Sequence, residues 1–258
     1  MAIHPTAIID PSAQLSPGVS VGAYSVIGPR VQIGQDTEIQ PHVVIDKDTI
    51  IGQRCRLYPF ASVGADPQDM KYAGEQTQLV IGDEVIIRES ATIHRGTTGG
   101  GGVTRIGDKC LIMATCHVAH DCQLASEVIL SSFAVMAGHV NIGEQAIISG
   151  STAIHQFVRI GRHAFVGGMS GVVKDVPPYM ILAGVRDQAV VVSPNVVGMK
   201  RRGFTEPAIE AITGAFKLLH TRRLLQEVLA EIESAWPQCP EVGIIVDFYR
   251  NSVRGVYR

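Results

Sequence analysis

What the chain lacks narrows what it can be. Aromatic residues make up only 5% of its 258 positions, and no run of eighteen or more apolar residues occurs, so no segment reads as a bilayer-spanning helix. Neither sign of charge dominates. The net charge is −2, too small for the field that draws a protein to nucleic acid or a membrane surface. The five cysteines, Cys55, Cys110, Cys116, Cys122 and Cys239, are odd in number and form no C-x-x-C, which points to reduced thiols in a cytoplasmic setting and not to a disulfide frame. The opening "MAIHPTAIIDPSAQ" has no basic stretch leading into an apolar one, so no signal peptide is expected. The length allows one large domain or two modest ones, with room for a sizeable core.

Aliphatic residues, by contrast, recur with a period of six. From Ile3 the chain reads IHPTAI, IDPSAQ, LSPGVS, VGAYSV, IGPRVQ, and the register runs on through Leu57 and Val63. It resumes at Ile81, breaks over "GTTGGGGVTR", returns at Ile106 and holds at every sixth residue through Leu124, Met136 and Ile148 to Val172. An even period keeps one side-chain face on a strand, whereas a 3.6-residue helix would rotate the stripe away. Glycine often follows the aliphatic, as at Gly22, Gly34, Gly107 and Gly143, where a corner would need an unusual backbone conformation. The pattern implies a solenoid of short parallel strands, three sides and eighteen residues to a coil, with one aliphatic per side in a shared core. An ordinary β-sandwich would not require such a beat.

Two stretches lose the beat and should loop out, near 66–78 ("DPQDMKYAGEQTQ") and near 97–105 ("TTGGGGVTR"). Loops on an otherwise regular scaffold are places for binding. The repeats end near residue 184. Residues 179–197 read as an apolar, irregular connector, and 185–258 as a connector plus a small helical domain able to cover the open end of the solenoid. There Thr205 is an N-cap ahead of an early Pro207, with Ile209, Ile212, Phe216 and Leu219 on one stripe. A second helix is expected in "LLQEVLAEIESAW" and a third in "PEVGIIVDFYRNS".

Coils of eighteen residues place i and i+18 about 4.8 Å apart along the axis. His139 then lies over Asp121, and Gly138 over His120, with Gln156 beyond it and His155 alongside. His117 is just around the strand. A carboxylate beside an imidazole fixes its tautomer and raises its basicity, as a general base requires. A glycine over His120 would leave open space for a substrate and a bare N–H for a developing oxyanion. The rival chemistry is zinc held by His117, His120 and His139, as in hexapeptide-repeat enzymes of the γ-carbonic-anhydrase type. Against it, H-x-x-H on a strand-like segment turns its two imidazoles in opposite directions. A non-catalytic scaffold is the third reading.

The runs "QDMKYAGE", "TIHRGT", "HVAHD", "MAGHV", "AIHQFVRIG", "KDVPPY", "KRRGF" and "SVRGVYR" together resemble the UDP-N-acetylglucosamine 3-O-acyltransferases, nearly end to end. The resemblance implies a left-handed parallel β-helix, although general connection rules favour right-handed crossovers. It also implies transfer of a 3-hydroxyacyl chain from acyl carrier protein to the 3-hydroxyl of UDP-N-acetylglucosamine, the first step of lipid A biosynthesis. No cofactor and no metal are implied, and the assembly is a cytoplasmic homotrimer with its cleft between subunits. In that reading His120 is the general base, Asp121 orients it, and the Gly138 N–H stabilises the oxyanion. His117, His139, His155, Gln156, Asp69 and Lys71 position the sugar and phosphates, and Asn195, Arg201 and Arg202 meet the nucleotide. Gly168 would leave the acyl groove open for a long chain. Lys200, Arg201, Arg202, Arg222, Arg223, Arg254 and Arg258 are available to the acidic carrier protein. The related N-acyltransferase of the same pathway carries an N-terminal uridine-binding domain, whereas here the repeats start at residue 3.

The chain also departs from the family pattern. Val197 replaces an acidic residue two positions after the nucleotide-contacting Asn, and "GVRDQ" from Gly184 replaces G-N-x-A in a connector about two residues longer. These changes bear on nucleotide contacts and on whether the acceptor carries a 3-hydroxyl or a 3-amino group.

Overall fold

The computed structural model describes residues 2–185 and 188–258. Strands β1 (Ala2–Ile3) through β26 (Gly171–Val172), most of them two residues long, wind into a left-handed parallel β-helix. Among the described residues, three sheets of eleven, nine and eight strands form its sides, the first of them counting two further strands from the connector. The eighteen-residue register is realised wherever a coil is uninterrupted: Ile112, Leu130, Ile148 and Val166 stand side by side in one sheet, and Val118, Met136, Ile154 and Val172 in the next. Each of these aliphatics is buried, and together they form one continuous core. Aromatics are not needed there, because the layers are filled by aliphatic side chains, most of them branched.

The glycines that follow the aliphatics serve a different purpose from the one expected. Gly22, Gly34, Gly107 and Gly143 do not have positive φ. Close approach of the next coil is what requires them: a Cβ on Gly143 would lie 2.4 Å from the Arg162 nitrogen, and one on Gly34 2.5 Å from the Gly52 carbonyl carbon. The left-handed conformation falls two residues later, on non-glycine residues such as Asp121, His139 and Phe157, with φ of 62°, 62° and 64°. Such backbone costs about 1–3 kcal/mol per residue and persists only where the surroundings over-determine it. Here the ladder bonds and buried aliphatics on both sides of each corner do so.

The first excursion leaves after Ala65 and rejoins at Gln78. The second is shorter than its sequence suggested: a 3-10 turn at Thr98–Gly100 is followed by Val103–Ile106, which is a strand paired with Gln78–Ile81. Alternating Val103, Thr104, Arg105 and Ile106 explain the return to the sheet. The connector is likewise more regular than expected. β27 (Met180–Ala183) continues the eleven-stranded sheet in parallel, and β28 (Val190–Pro194) turns back antiparallel along it. Met180, Leu182 and Val191 are buried there, which gives the run its apolar character. Arg186 and Asp187, within the altered "GVRDQ", lie outside the described residues.

Among the described residues, four α-helices follow: α1 (Val196–Arg201), α2 (Glu206–Leu219), α3 (Leu225–Ala235) and α4 (Pro240–Arg250). Thr205 caps α2 by accepting from Ala208 N, as its position predicts. The short α1 went unread, since six residues carry too little periodicity. Buried Ile209, Ile212, Leu229 and Ile245 belong to the same core as the solenoid. The C-terminal tail returns to the last coil, where Asp175 N donates to Gly255 O and Tyr257 N to Asp175 O.

Because each core layer touches only its neighbours, a cavity cannot be shared widely. Leu130→Ala, in a fully buried layer, should lower unfolding free energy by about 2–5 kcal/mol in denaturant titrations; a change below about 1 kcal/mol would contradict a tightly packed core at that layer.

Candidate active site

The chain turns from the nine-stranded to the eight-stranded sheet at His120–Asp121, again at Gly138–His139, and again at Gln156–Phe157. Stacking of these three turns builds one corner. Asp121 is buried, at 3% exposure, and each of its oxygens is committed. Oδ1 accepts from Thr97 N at 2.8 Å; Oδ2 accepts from Thr97 Oγ1 at 2.7 Å and faces His120 Nδ1 at 2.7 Å. An ionised carboxylate only accepts, so Nδ1 carries the proton and His120 Nε2 keeps its lone pair. Thr104 Oγ1 accepts from Asp121 N and fixes the backbone beneath.

The glycine at 138 is not open space. A Cβ there would stand 2.5 Å from His120 Cε1 and 2.7 Å from Nε2, so the imidazole itself occupies the notch. Among the described residues the Gly138 N–H takes no part in the ladder, in contrast to Ala137 N and His139 N, which donate to Ile154 O and His120 O. His139 meets His120 edge-on at 5.1 Å, stacks on Phe157 at 4.5 Å, and brings Nε2 to 3.7 Å from Asp121 Oδ2. His155 and Gln156 are exposed one coil on, and Arg254 from the C-terminal tail reaches His155 Nδ1 at 3.2 Å.

His117 faces the coil below. Its Nδ1 lies 2.8 Å from Thr92 Oγ1, and its ring meets buried His94 edge-on. Burial, and then the neighbouring His117 and His120, hold His94 at a pKa of about 4, so it is neutral. The three-histidine set considered for zinc is therefore not assembled. The ligand-capable atoms that gather within 4.8 Å of one another belong to His120, Asp121 and His139, and the Asp121 oxygens already meet three hydrogen-bond partners.

Both excursions fold over this corner. Asp69, Lys71 and Tyr72 of the first and Thr97–Gly99 of the second line a cleft of about 380 Å³ together with His139 and Phe157. Gly100 packs so closely on Asp121 that a Cβ would come within 2.0 Å of its carboxyl carbon. The roles of Thr97, Gly100, Phe157, His94 and Arg254 at this corner escaped the sequence reading. The one available signal was the run TTGGGG itself, since close backbone approach demands glycine.

The remaining candidates lie on the other two corners. Asn195 caps α1, with Oδ1 accepting from Gly198 N at 3.1 Å and Nδ2 donating to His163 O at 3.0 Å. Arg202 pairs with Glu127, Arg201 is exposed, and Val197 is exposed in the first turn of α1. Gly168 is exposed at the third corner, where a Cβ would meet only Gly150 O at 3.4 Å and Ser149 Cβ at 3.9 Å. Within one chain these groups do not converge on His120.

Comparisons with known proteins agree with this architecture. Residues 175–257 match the family model described as UDP N-acetylglucosamine O-acyltransferase, domain 2. Two curated relatives are both named acyl-[acyl-carrier-protein]--UDP-N-acetylglucosamine O-acyltransferase. The protein of Stutzerimonas stutzeri (strain A1501) is 48% identical over 257 residues, and that of Herminiimonas arsenicoxydans 49% identical over 261, each alignment covering 99% of both chains. The crystal structure of UDP-N-acetylglucosamine O-acyltransferase (LpxA) from Moraxella catarrhalis RH4 superposes with a TM-score of 0.96 at 42% identity, covering 100% of each chain.

The fit between the imidazole and the glycine is testable alone. Gly138→Ala should displace the His120 ring from Asp121, seen by nitrogen NMR as loss of its fixed Nδ1–H tautomer, with the melting temperature lowered only slightly. An unchanged tautomer would show that the notch does not place the ring.

Proposed function

The chain belongs to the UDP-N-acetylglucosamine O-acyltransferase family, and on that premise we propose that it moves a 3-hydroxyacyl chain from acyl carrier protein to the 3-hydroxyl of UDP-N-acetylglucosamine, the opening step of lipid A biosynthesis. One observation carries the mechanism: a buried carboxylate holds the Nδ1–H of His120 and leaves Nε2 free. His120 Nε2 takes the proton of the sugar 3-hydroxyl as its oxygen attacks the thioester carbonyl. Asp121, acceptor-only and already oriented by Thr97, steadies the resulting imidazolium. The unpaired Gly138 N–H stabilises the oxyanion. Collapse forms the ester and breaks the carbon–sulfur bond, and the departing thiolate takes the proton back from His120. Every step uses groups of this chain and its two substrates.

His117, His139, His155 and Gln156 position the sugar and pyrophosphate from the corner. Asp69 and Lys71 do so from the first excursion, where Lys71 supplies a point charge for phosphate. Asn195, Arg201 and Arg202 bind the nucleotide from a neighbouring copy in a homotrimer. Their distance from His120 on a separate corner of the same chain supports that arrangement, because a prism corner can face another corner only across an interface. Residues 1–184 carry the chemistry, and basic residues of 185–258 receive the acidic carrier protein. The reaction is assigned to the cytoplasm.

With purified protein, 3-hydroxyacyl carrier protein and UDP-N-acetylglucosamine, His120→Ala should lower kcat by roughly 10²–10⁴-fold, the usual worth of a positioned base. Transfer within threefold of wild type would remove His120 from the mechanism. The open space at Gly168 supports its role as the acyl ruler, so Gly168→Met should fold normally and shift preference to chains several carbons shorter. Retained preference for the longest chains would refute that role.

A further inference from the structure

Arg95 follows the strand Thr92–His94, and its side chain has no exposure at all. A buried guanidinium needs partners on all sides, since an uncompensated charge there is strongly destabilising. Its partners lie on the first excursion and where it departs. Nη1 donates to Gly64 O, and Nη2 donates to Asp66 Oδ1 and, at 3.2 Å, to the Tyr72 hydroxyl. Asp46 Oδ2 lies 3.7 Å from Nη1. Nε has no partner, so the donors in use are Nη1, on the strand end at Gly64, and Nη2, on the excursion itself. Burial would raise the pKa of Asp66, but the charges of Arg95 and Lys47 bring it down overall, so the carboxylate stays ionised against the guanidinium.

Tyr72 passes this fixation on. Its hydroxyl donates to Glu75 O at 3.0 Å, and its backbone N donates to Asp69 O at 3.0 Å. Asp69 Oδ1 in turn accepts from Lys71 N at 3.0 Å. The segment so held faces His139 and Phe157 across the cleft. Two residues beyond Arg95, Thr97 holds Asp121. One short run, 95–97, therefore ties the excursion to the corner that seats the carboxylate.

Building on the acyltransferase reading, we propose that Arg95 is a positioning residue for the acceptor sugar nucleotide: through Asp66 and Tyr72 it sets where Asp69 and Lys71 stand over the cleft. It touches neither substrate. Its loss weakens acceptor binding while leaving the acyl donor and the proton-transfer step alone.

The test uses full-length protein and the variants Arg95→Met, Arg95→Lys, Asp66→Asn and Tyr72→Phe. Asp66 is half exposed and Tyr72 lies on the excursion, so the last two variants decide the matter even if Arg95→Met does not fold. Asp66→Asn and Tyr72→Phe should each raise KM for UDP-N-acetylglucosamine roughly tenfold, the worth of one charge-assisted contact. In both, kcat and KM for the carrier protein should stay within about twofold, which is below the effect of losing a direct contact. Arg95→Lys should fall between wild type and Arg95→Met. Calorimetric Kd for the sugar nucleotide should rise in parallel with KM. An unchanged acceptor KM and Kd in Asp66→Asn and Tyr72→Phe would overturn the proposal. So would a joint rise of both KM values with kcat falling in step with the melting temperature. If wild type binds the sugar nucleotide but transfers no acyl group, the acyltransferase reading fails, and the Kd comparison still decides the role of Arg95.

Discussion

The register of the parallel ladder is the constraint on which everything else rests. Because Val118 pairs with Met136 and Met136 with Ile154, the corner residues that follow each strand must also stack. The corners tolerate left-handed backbone on Asp121, His139 and Phe157 only because two sides of buried aliphatics hold each turn in place. A functional corner on such a solenoid is thus a column of side chains about 4.8 Å apart, rigid by construction and open to solvent on its outer edge. That spacing suits groups that must meet, such as an imidazole and the glycine above it.

The column alone does not make a base. Asp121 points into a buried seat formed by Thr97 and Gly100, and those residues arrive only because the second excursion breaks the period. Burial of a carboxylate without hydrogen bonds would be costly, and three contacts to Thr97 and His120 offset it. The first excursion is held in the same way, through a buried arginine. The regular part of the fold therefore places the histidines, and the two irregular parts complete their surroundings. Asn195, Arg202 and Gly168 sit on the other two corners and take no part in that seat.

The solenoid was legible because an even period of six keeps one aliphatic face on short strands as no helix could, and the relation of His120 to Gly138 and of Asp121 to His139 followed from arithmetic on it. What that arithmetic missed lies where the period fails. Thr97 reaches Asp121 across 24 residues, a separation no coil rule gives, and Arg95 looked like one more charged residue after a strand. The glycine at 138 was read as empty because a column shows neighbours but not which way a ring turns. The conformational role assigned to the post-aliphatic glycines was misplaced by two residues, since sequence alone does not separate a left-handed φ from a close approach. The antiparallel β28 had no signal beyond apolarity, and the return of the tail to Asp175 depends on contacts distant in sequence.

The central claim is geometric: the free nitrogen of His120 is the atom that meets the acceptor. A crystal structure of the protein with UDP-N-acetylglucosamine bound tests it most directly. The account predicts the sugar 3-oxygen roughly 2.6–3.2 Å from His120 Nε2, with Asp121 still on Nδ1. A sugar seated with its 3-oxygen beyond reach of that nitrogen, or an Nε2 turned onto Asp121, would contradict it.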